Sequence, residues 1–232
     1  MNTKDIIKRN RTAIKPQWTD LKSVESDRQL GKERPPLFKK CSSSIKTVGL
    51  TTDFSSISQM SLHETIKKRR SLRQYSEEIL RFDECSYLMY ETAHVDYVKN
   101  NAVFRTIPTG GATNAMETYV YIHRVEGIES GLYHYRQDEH VLDLLESGVE
   151  LSERVHEASL NQLRNANMMV FFTAVPYRSE YKYSFAAHKM LMIEAGHAGQ
   201  NLSLASEVVG CGAVCIAAYD QVRCDKLLQL DG

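Results

Sequence analysis

The sequence predicts an α+β fold, a sheet packed by helices, on three observations. Helical patterning comes first, short β-branched and aromatic runs then form a meander between residues 117 and 142, and a strand–helix–strand unit follows. At 232 residues, 42% hydrophobic and 25% charged, the chain is one large domain, or one domain with an arm.

Residues 1–55 carry little sustained periodicity and are punctuated by Pro16, Pro35, Pro36 and the Ser-rich run from Cys41 to Ile45. They read as a basic N-terminal arm ahead of a domain spanning 56–232, with Trp18, Leu21 and Leu37 available to anchor it. At Ser61 the character changes: Ser61 and Glu64 form a capping box for a helix that runs into Arg69 and Arg70. Ser76 is the expected cap of a second helix, in which Phe82, Cys85, Leu88 and Met89 share one face. Pro108 to Gly111 is a turn or loop. Glu117–His123, Leu132–Tyr135 and Val141–Leu142 are strands, separated by a turn from Gly127 to Gly131. Residues 150–165 pattern as a helix and Met168–Ala174 as a buried strand.

The longest helix is expected from His188 to about Val209, with Leu191, Ala195, Ala198, Leu202, Ala205 and Val209 as its seam. Gly196 and Gly199 inside it cost about 1 kcal/mol each relative to Ala, which calls for something packed very close to them. Gly210-Cys-Gly212 ends this helix, and Ala213–Tyr219 reads as a further apolar strand.

Composition excludes several functions. No apolar run approaches ~18 residues, so no membrane span is expected, and the first ten residues lack the apolar core of a secretory signal. Cys41, Cys85, Cys211, Cys215 and Cys224, an odd number, read as reduced thiols of a cytoplasmic protein. The net charge of zero hides a net +6 in residues 1–55 against −6 in the remainder. Such an arm docks on an acidic surface or peptide, or on a sister subunit; without an aromatic-interleaved basic stripe or zinc-finger spacing, nucleic acid is not expected.

Four groups of residues are candidates for chemistry. Arg69, Arg70, Ser71 and Arg73 concentrate guanidiniums and a hydroxyl at a helix end, which matches a phosphate monoester or forms a solvated basic run. Pro108-Thr109-Gly110-Gly111-Ala112 offers backbone N–H groups unobstructed by side chains to a planar polar ligand, or is a plain loop. It is neither a Walker loop nor a dinucleotide glycine motif. Glu91/His94, Glu153/His156 and Glu194/His197 have the i, i+3 spacing of di-iron bundles, but the strands and turns of 103–145 leave no four-helix frame, and no metal is expected. Lys182 and Tyr183 sit in a polar, aromatic stretch just before the long helix. A Lys there can act as a general base if burial or a neighbouring cation lowers its pKa, or the stretch is a surface loop.

In order and spacing, five blocks resemble the nitroreductase-like flavoproteins, and within them the azoline dehydrogenase branch (the SagB/ThcOx type). They are Arg69–Tyr75, Pro108–Val120, Val125–Tyr135, Glu194–Asn201, and Gly210–Gly212 running on to Ala218–Asp220, and the resemblance covers roughly 58–232. It implies an α+β fold with a mixed or antiparallel central sheet and an interlocked homodimer with FMN at its interface. Arg69, Ser71 and Arg73 are then implied at the flavin phosphate and ribityl chain. Thr109, Gly110 and Gly111 are implied along the isoalloxazine ring, with Gly212 and Val214 also lining the flavin. Lys182 and Tyr183 match the Lys-Tyr pair that such dehydrogenases use near the substrate, and are implied as base or hydrogen-bond partner. Similar proteins continue past Leu230-Asp-Gly232 into a last strand, so that strand is expected to be missing here.

The activity so implied is oxidation of an azoline ring in a ribosomal peptide natural product. Two alternatives stand beside it: a flavin-dependent NAD(P)H reductase of dehydroamino acids, nitro compounds or quinones, and a non-catalytic scaffold of a peptide-modification complex. A peptide or small-molecule substrate, with oxygen or NAD(P)H as redox partner, completes the expectation.

Overall fold

The structure is a computed structural model that describes residues 2–15, 18–40 and 44–232. Pro16 and Cys41 lie outside the described residues. Five strands form one antiparallel sheet: β1 (Lys46–Gly49), β4 (Met116–Ile122), β5 (Gly131–Arg136), β6 (Val141–Glu146) and β7 (Met168–Ala174), ordered β1-β6-β5-β4-β7. A separate hairpin pairs β2 (Val95–Lys99) with β3 (Ala102–Arg105).

Burial explains why this sheet forms. Every residue of β4 is buried, because helices cover both faces of the sheet. One face carries Val120, Ile122, Tyr133, Tyr135, Leu142 and Leu144, packed with Cys85, Leu88 and Met89 of α3 (Phe82–Ala93) and Ala205 of α6 (Ala187–Val208). The other carries Tyr119, Tyr121 and Leu132 against α4 (Val149–Ala158) and α7 (Gln221–Leu228). Fully burying one Leu, Val or Ile side chain contributes about 1.5–3 kcal/mol, so the two clusters dominate over local propensity.

The Ser61–Glu64 capping box opens α2 (Leu62–Lys68) as expected. Other expectations are corrected. The second helix starts at Phe82, not after Ser76; its box joins Arg81 and Glu84, and residues 76–81 form no helix, bending at Glu77 and bridging Leu80 to Val125. The helix expected over 150–165 stops at Ala158, where turns at Leu160 and Asn161, both with positive φ, end it. The stretch around Lys182 is not a loop but a helix, α5 (Tyr177–Tyr183).

Ala213–Tyr219 forms no strand. Only Ala213 bridges, to Ser71, while Val214 and Ile216 pack against the second cluster. Its apolar pattern reports side-chain burial; a strand also needs a partner backbone within reach, and the segment does not pair with the free edge of β7. Between β7 and this segment runs an apolar groove of about 1660 Å³, lined by Leu72, Phe171, Met192, Gly196, Val214 and Ile216 among others.

The N-terminal 55 residues are more structured than an arm and less separate. They hold α1 (Thr3–Ala13), contribute β1 to the sheet edge, and lay residues 18–40 along the body, so the sheet crosses the boundary expected near 56. No helix among the described residues is long and apolar enough to cross a membrane.

Candidate functional site

Two sites emerge, one at each end of α6. At its N-terminal end lies the bend after Pro108. Thr109 is extended, Gly110–Ala112 form a short 3-10 turn, and Gly111 takes a φ of 64°. A side chain at Gly110 would collide with Met190, and one at Gly111 with the Tyr183 hydroxyl. Gly111 is therefore required both by the ring packed on it and by its left-handed backbone, whereas at Gly110 the collision is with the flexible end of Met190.

Buried charge holds the bend from beneath. The Thr109 hydroxyl donates to Glu194 Oε2 at 2.8 Å, and Arg105 Nη1 lies 3.4 Å from Glu194 Oε1 and 2.9 Å from Asn114 Oδ1. The Arg105 and Glu194 side chains are 1% and 2% exposed. Burial dominates both partners, raising the Glu194 carboxyl pKa and lowering that of the Arg105 guanidinium. Such a pair specifies geometry at a desolvation cost.

Helix α5 meets the bend from the other side. Lys182 Nζ donates to the Gly111 carbonyl at 2.6 Å. Burial pushes the Lys182 pKa below the usual lysine value, and Arg28 and Arg34 push it further. The helix is pinned by Arg178, which donates to the Asn114 carbonyl at 3.0 Å, the Pro36 carbonyl at 2.7 Å and Glu117 Oε1 at 2.6 Å. Glu117 also binds His134 at 2.9 Å. Burial alone would raise the Glu117 pKa; the His134 hydrogen bond and the Arg178 charge outweigh it, and it sits below its ordinary value.

At the C-terminal end of α6, Arg69 ends α2 and the chain runs on through Ser71, whose bridge to Ala213 and the Leu72 N–H bond to the Ala213 carbonyl at 3.1 Å tie it to the Gly212 turn. Gly212 must be glycine because Leu72 occupies the space of its side chain. Arg70 is spent locally: its guanidinium bonds the Lys67 and Arg69 carbonyls, and its N–H reaches Glu207. Arg69, half-buried, and Arg73, exposed, pair with no carboxylate among the described residues. This donor set suits a phosphate monoester.

The structure thus gathers Thr109, Gly110, Gly111, Lys182 and Tyr183 at one end, and Arg69, Ser71, Arg73 and Gly212 at the other, with Val214 in the groove. From Met190, at the bend, to Glu207, at the arginine segment, α6 spans about 25 Å at ~1.5 Å per residue. One chain does not bring the two sets together.

Sequence reasoning missed Arg105, Arg178 and Glu117, and read Glu194 only as half of a Glu-x-x-His spacing. For Arg105 and Glu117 the available signal was a charged residue inside an otherwise apolar or small-residue run; Arg178, in a polar stretch, gave none. Glu91/His94 and Glu153/His156 lie on or beside α3 and α4, not on α6 with Glu194; no cluster of three or more potential metal ligands occurs among the described residues.

Comparison with known proteins adds to this geometry. The model of the nitroreductase family matches residues 66–232. The protein MJ1384 of Methanocaldococcus jannaschii, whose name places it with the nitroreductases, is 28% identical over 180 residues, 75% of this chain and 87% of its own. The trifolitoxin-processing protein TfxB of Rhizobium leguminosarum bv. trifolii is 28% identical over 133 residues, 53% of this chain and 36% of its own. A nitroreductase structure from Anabaena variabilis superposes with a TM-score of 0.61 at 27% identity, over 73% of this chain and 35% of that one. The Escherichia coli microcin synthetase McbBCD, solved with truncated pro-MccB17 bound, superposes with a TM-score of 0.58 at 19% identity, over 81% of this chain and 73% of that one. This chain thus spans about a third of the length of TfxB and of the Anabaena chain.

Proposed function

The chain belongs to the nitroreductase family of oxidoreductases, and from that premise we propose that it is an FMN-dependent dehydrogenase of azoline rings in a ribosomal peptide, working as a homodimer. One observation carries this reading: Lys182 and Tyr183 converge on Gly111, the bend implied along the flavin ring. Removing two hydrogens from an azoline requires a base at the ring Cα–H and an acceptor for hydride; bound FMN supplies the acceptor. Lys182 supplies the base. Donating one hydrogen to the Gly111 carbonyl fixes its nitrogen, while burial and two nearby arginines favour the neutral amine. Tyr183, in van der Waals range of the same glycine, orients the ring or carries the proton onward.

The residues present fit FMN. Arg69, Ser71 and Arg73 offer unpaired donors to its phosphate, and the bend offers a side-chain-free backbone to its ring, with Gly212 and Val214 flanking the phosphate end. Because about 25 Å of α6 separates the two sets, one mononucleotide reaches both only if two copies pack antiparallel along this helix. The helix supports that arrangement: Met192 and Ile193 are exposed and nothing lies within 4 Å of a side chain placed at Gly196. Similarity to a trifolitoxin-processing protein and to a microcin synthetase supports a peptide substrate.

The test is direct. Purified protein is expected to show the two absorbance bands of oxidised flavin, and to lower the mass of an azoline peptide by two hydrogens under oxygen. NAD(P)H consumption without that mass change would replace the reading with a reductase. A colourless protein that still binds the peptide would replace it with a scaffold.

A further inference from the structure

Residues 18–40 cross α5 as a strap. The Arg28 N–H donates to the Tyr181 carbonyl at 3.0 Å, the Tyr177 hydroxyl to Asp27 at 2.8 Å, and the Tyr181 hydroxyl to the Lys32 carbonyl at 3.1 Å. Further along, Pro36 accepts from Arg178, Leu37 from Asn114 Nδ2 at 2.7 Å, and the Lys39 N–H donates to Glu117 at 3.0 Å. Trp18 packs edge-on against Tyr183 with ring centroids 5.9 Å apart. The strap is therefore a wall of the Lys182–Tyr183 site.

Its charges are unevenly matched. Arg28 is anchored one residue from Lys182 through its backbone, and Arg34 lies between Lys32 and Pro36, both tied to α5. Two of the neighbouring acids are committed elsewhere: Asp27 to Lys32 at 2.9 Å and to Tyr177, and Glu180 to His188 at 2.7 Å. Glu33, adjacent in sequence, forms no ion pair among the described residues. Arg28 and half-buried Arg34, neither of them in an ion pair among the described residues, so flank Lys182 at the rim of the site. Like charges held together this way are relieved by an anion that arrives from outside.

We propose that Arg28 and Arg34, flanking Lys182, form a subsite that binds a carboxylate of the substrate. The subsite rests on the reading of Lys182 and Tyr183 as the substrate-facing pair. A planar carboxylate matches two guanidinium forks, and it reaches this rim either as an acidic side chain of a peptide or as a small carboxylic acid.

The experiment uses the full chain and a short fluorescein-labelled peptide of alternating Glu and Gly, read by anisotropy, with the Gln analogue as the neutral probe. Tight binding of the Glu peptide is expected, weakened roughly 10-fold or more by R28A/R34A, the range for hydrogen bonds to charged groups. The R28E/R34E variant is expected to prefer a Lys-Gly peptide, an outcome that a folding defect does not produce. Displacement of the Glu peptide by millimolar glutarate supports a small-acid source; retention against glutarate supports a peptide-borne one. Equal affinity for the Glu and Gln probes, or an equal loss in K8A/R9A/R11A on α1, overturns the subsite. Flavin absorbance recorded on each sample separates this from the cofactor reading. A colourless protein with charge-selective binding at Arg28 and Arg34 would sink the FMN proposal and leave the subsite standing.

Discussion

The two ends of α6 are built in opposite ways. At the N-terminal end, Glu194, Arg105, Arg178 and Glu117 are buried and interlocked, and the two glycines of the bend leave no room for a side chain. At the C-terminal end, Ser71 and Arg73 stand exposed, and Arg69 has no acidic partner among the described residues. On the proposed reading, the buried end is preorganised to position reacting groups, where a small misplacement costs rate. On the same reading, the open end would capture a charged ligand, where freedom costs little.

Four measurements test whether the two ends differ in this way. The largest effect is expected for Lys182→Ala, which should lower turnover roughly 10²- to 10⁴-fold, the usual contribution of a positioned base. Bound flavin should remain, because the phosphate donors are at the other end; Tyr183→Phe should fall in the same direction. A loss of flavin in either variant would erase the distinction between the ends.

Next is stability. Glu194→Ala strands the buried Arg105, and breaking such a pair costs about 3–5 kcal/mol, read as a lower denaturation midpoint. Arg73→Ala should leave the midpoint within about 0.5 kcal/mol, as for an exposed residue, while weakening flavin binding about 10-fold. Equal midpoints for the two variants would show that the ends are not differently built.

Gly111→Ala forces a side chain into a left-handed position against Tyr183. A stability loss of about 1 kcal/mol or more is expected, with a larger proportional drop in turnover. The smallest effect is on pH. Because the Lys182 pKa is lowered, its neutral, basic form gains population as pH rises toward a value below the ordinary lysine value of about 10.4. Turnover should climb with pH along that limb, and R28A/R34A should move the limb to higher pH by removing two like charges. An unmoved limb would detach the strap from Lys182.

Where the sequence was legible, one physical signal sufficed. Strands β4 to β7 were readable because their apolar and aromatic runs are buried between helices, and α2 because Ser61 and Glu64 announce its start. The Arg69–Arg73 and Thr109–Gly111 groups stood out by residue type, although their separation along α6 required coordinates in space. Other features depended on distant partners. Tyr177–Tyr183 looked like a loop because its polar face is satisfied by the strap and by Glu117, residues far away in the chain. Ala213–Tyr219 looked like a strand because apolar content registers burial but not hydrogen-bond partners. Arg105 and Arg178 passed unnoticed because a lone arginine acquires meaning only from the carboxylate it meets.

The way the strap is fastened has an evolutionary consequence. Arg28, Lys32, Pro36, Leu37 and Lys39 hold the body through main-chain atoms. Peptide groups are common to all residues apart from the missing N–H of proline, so descendants can exchange the side chains facing outward while keeping the same path. The rim is thus a place where outward side chains can drift quickly over a buried, interlocked floor that tolerates little change.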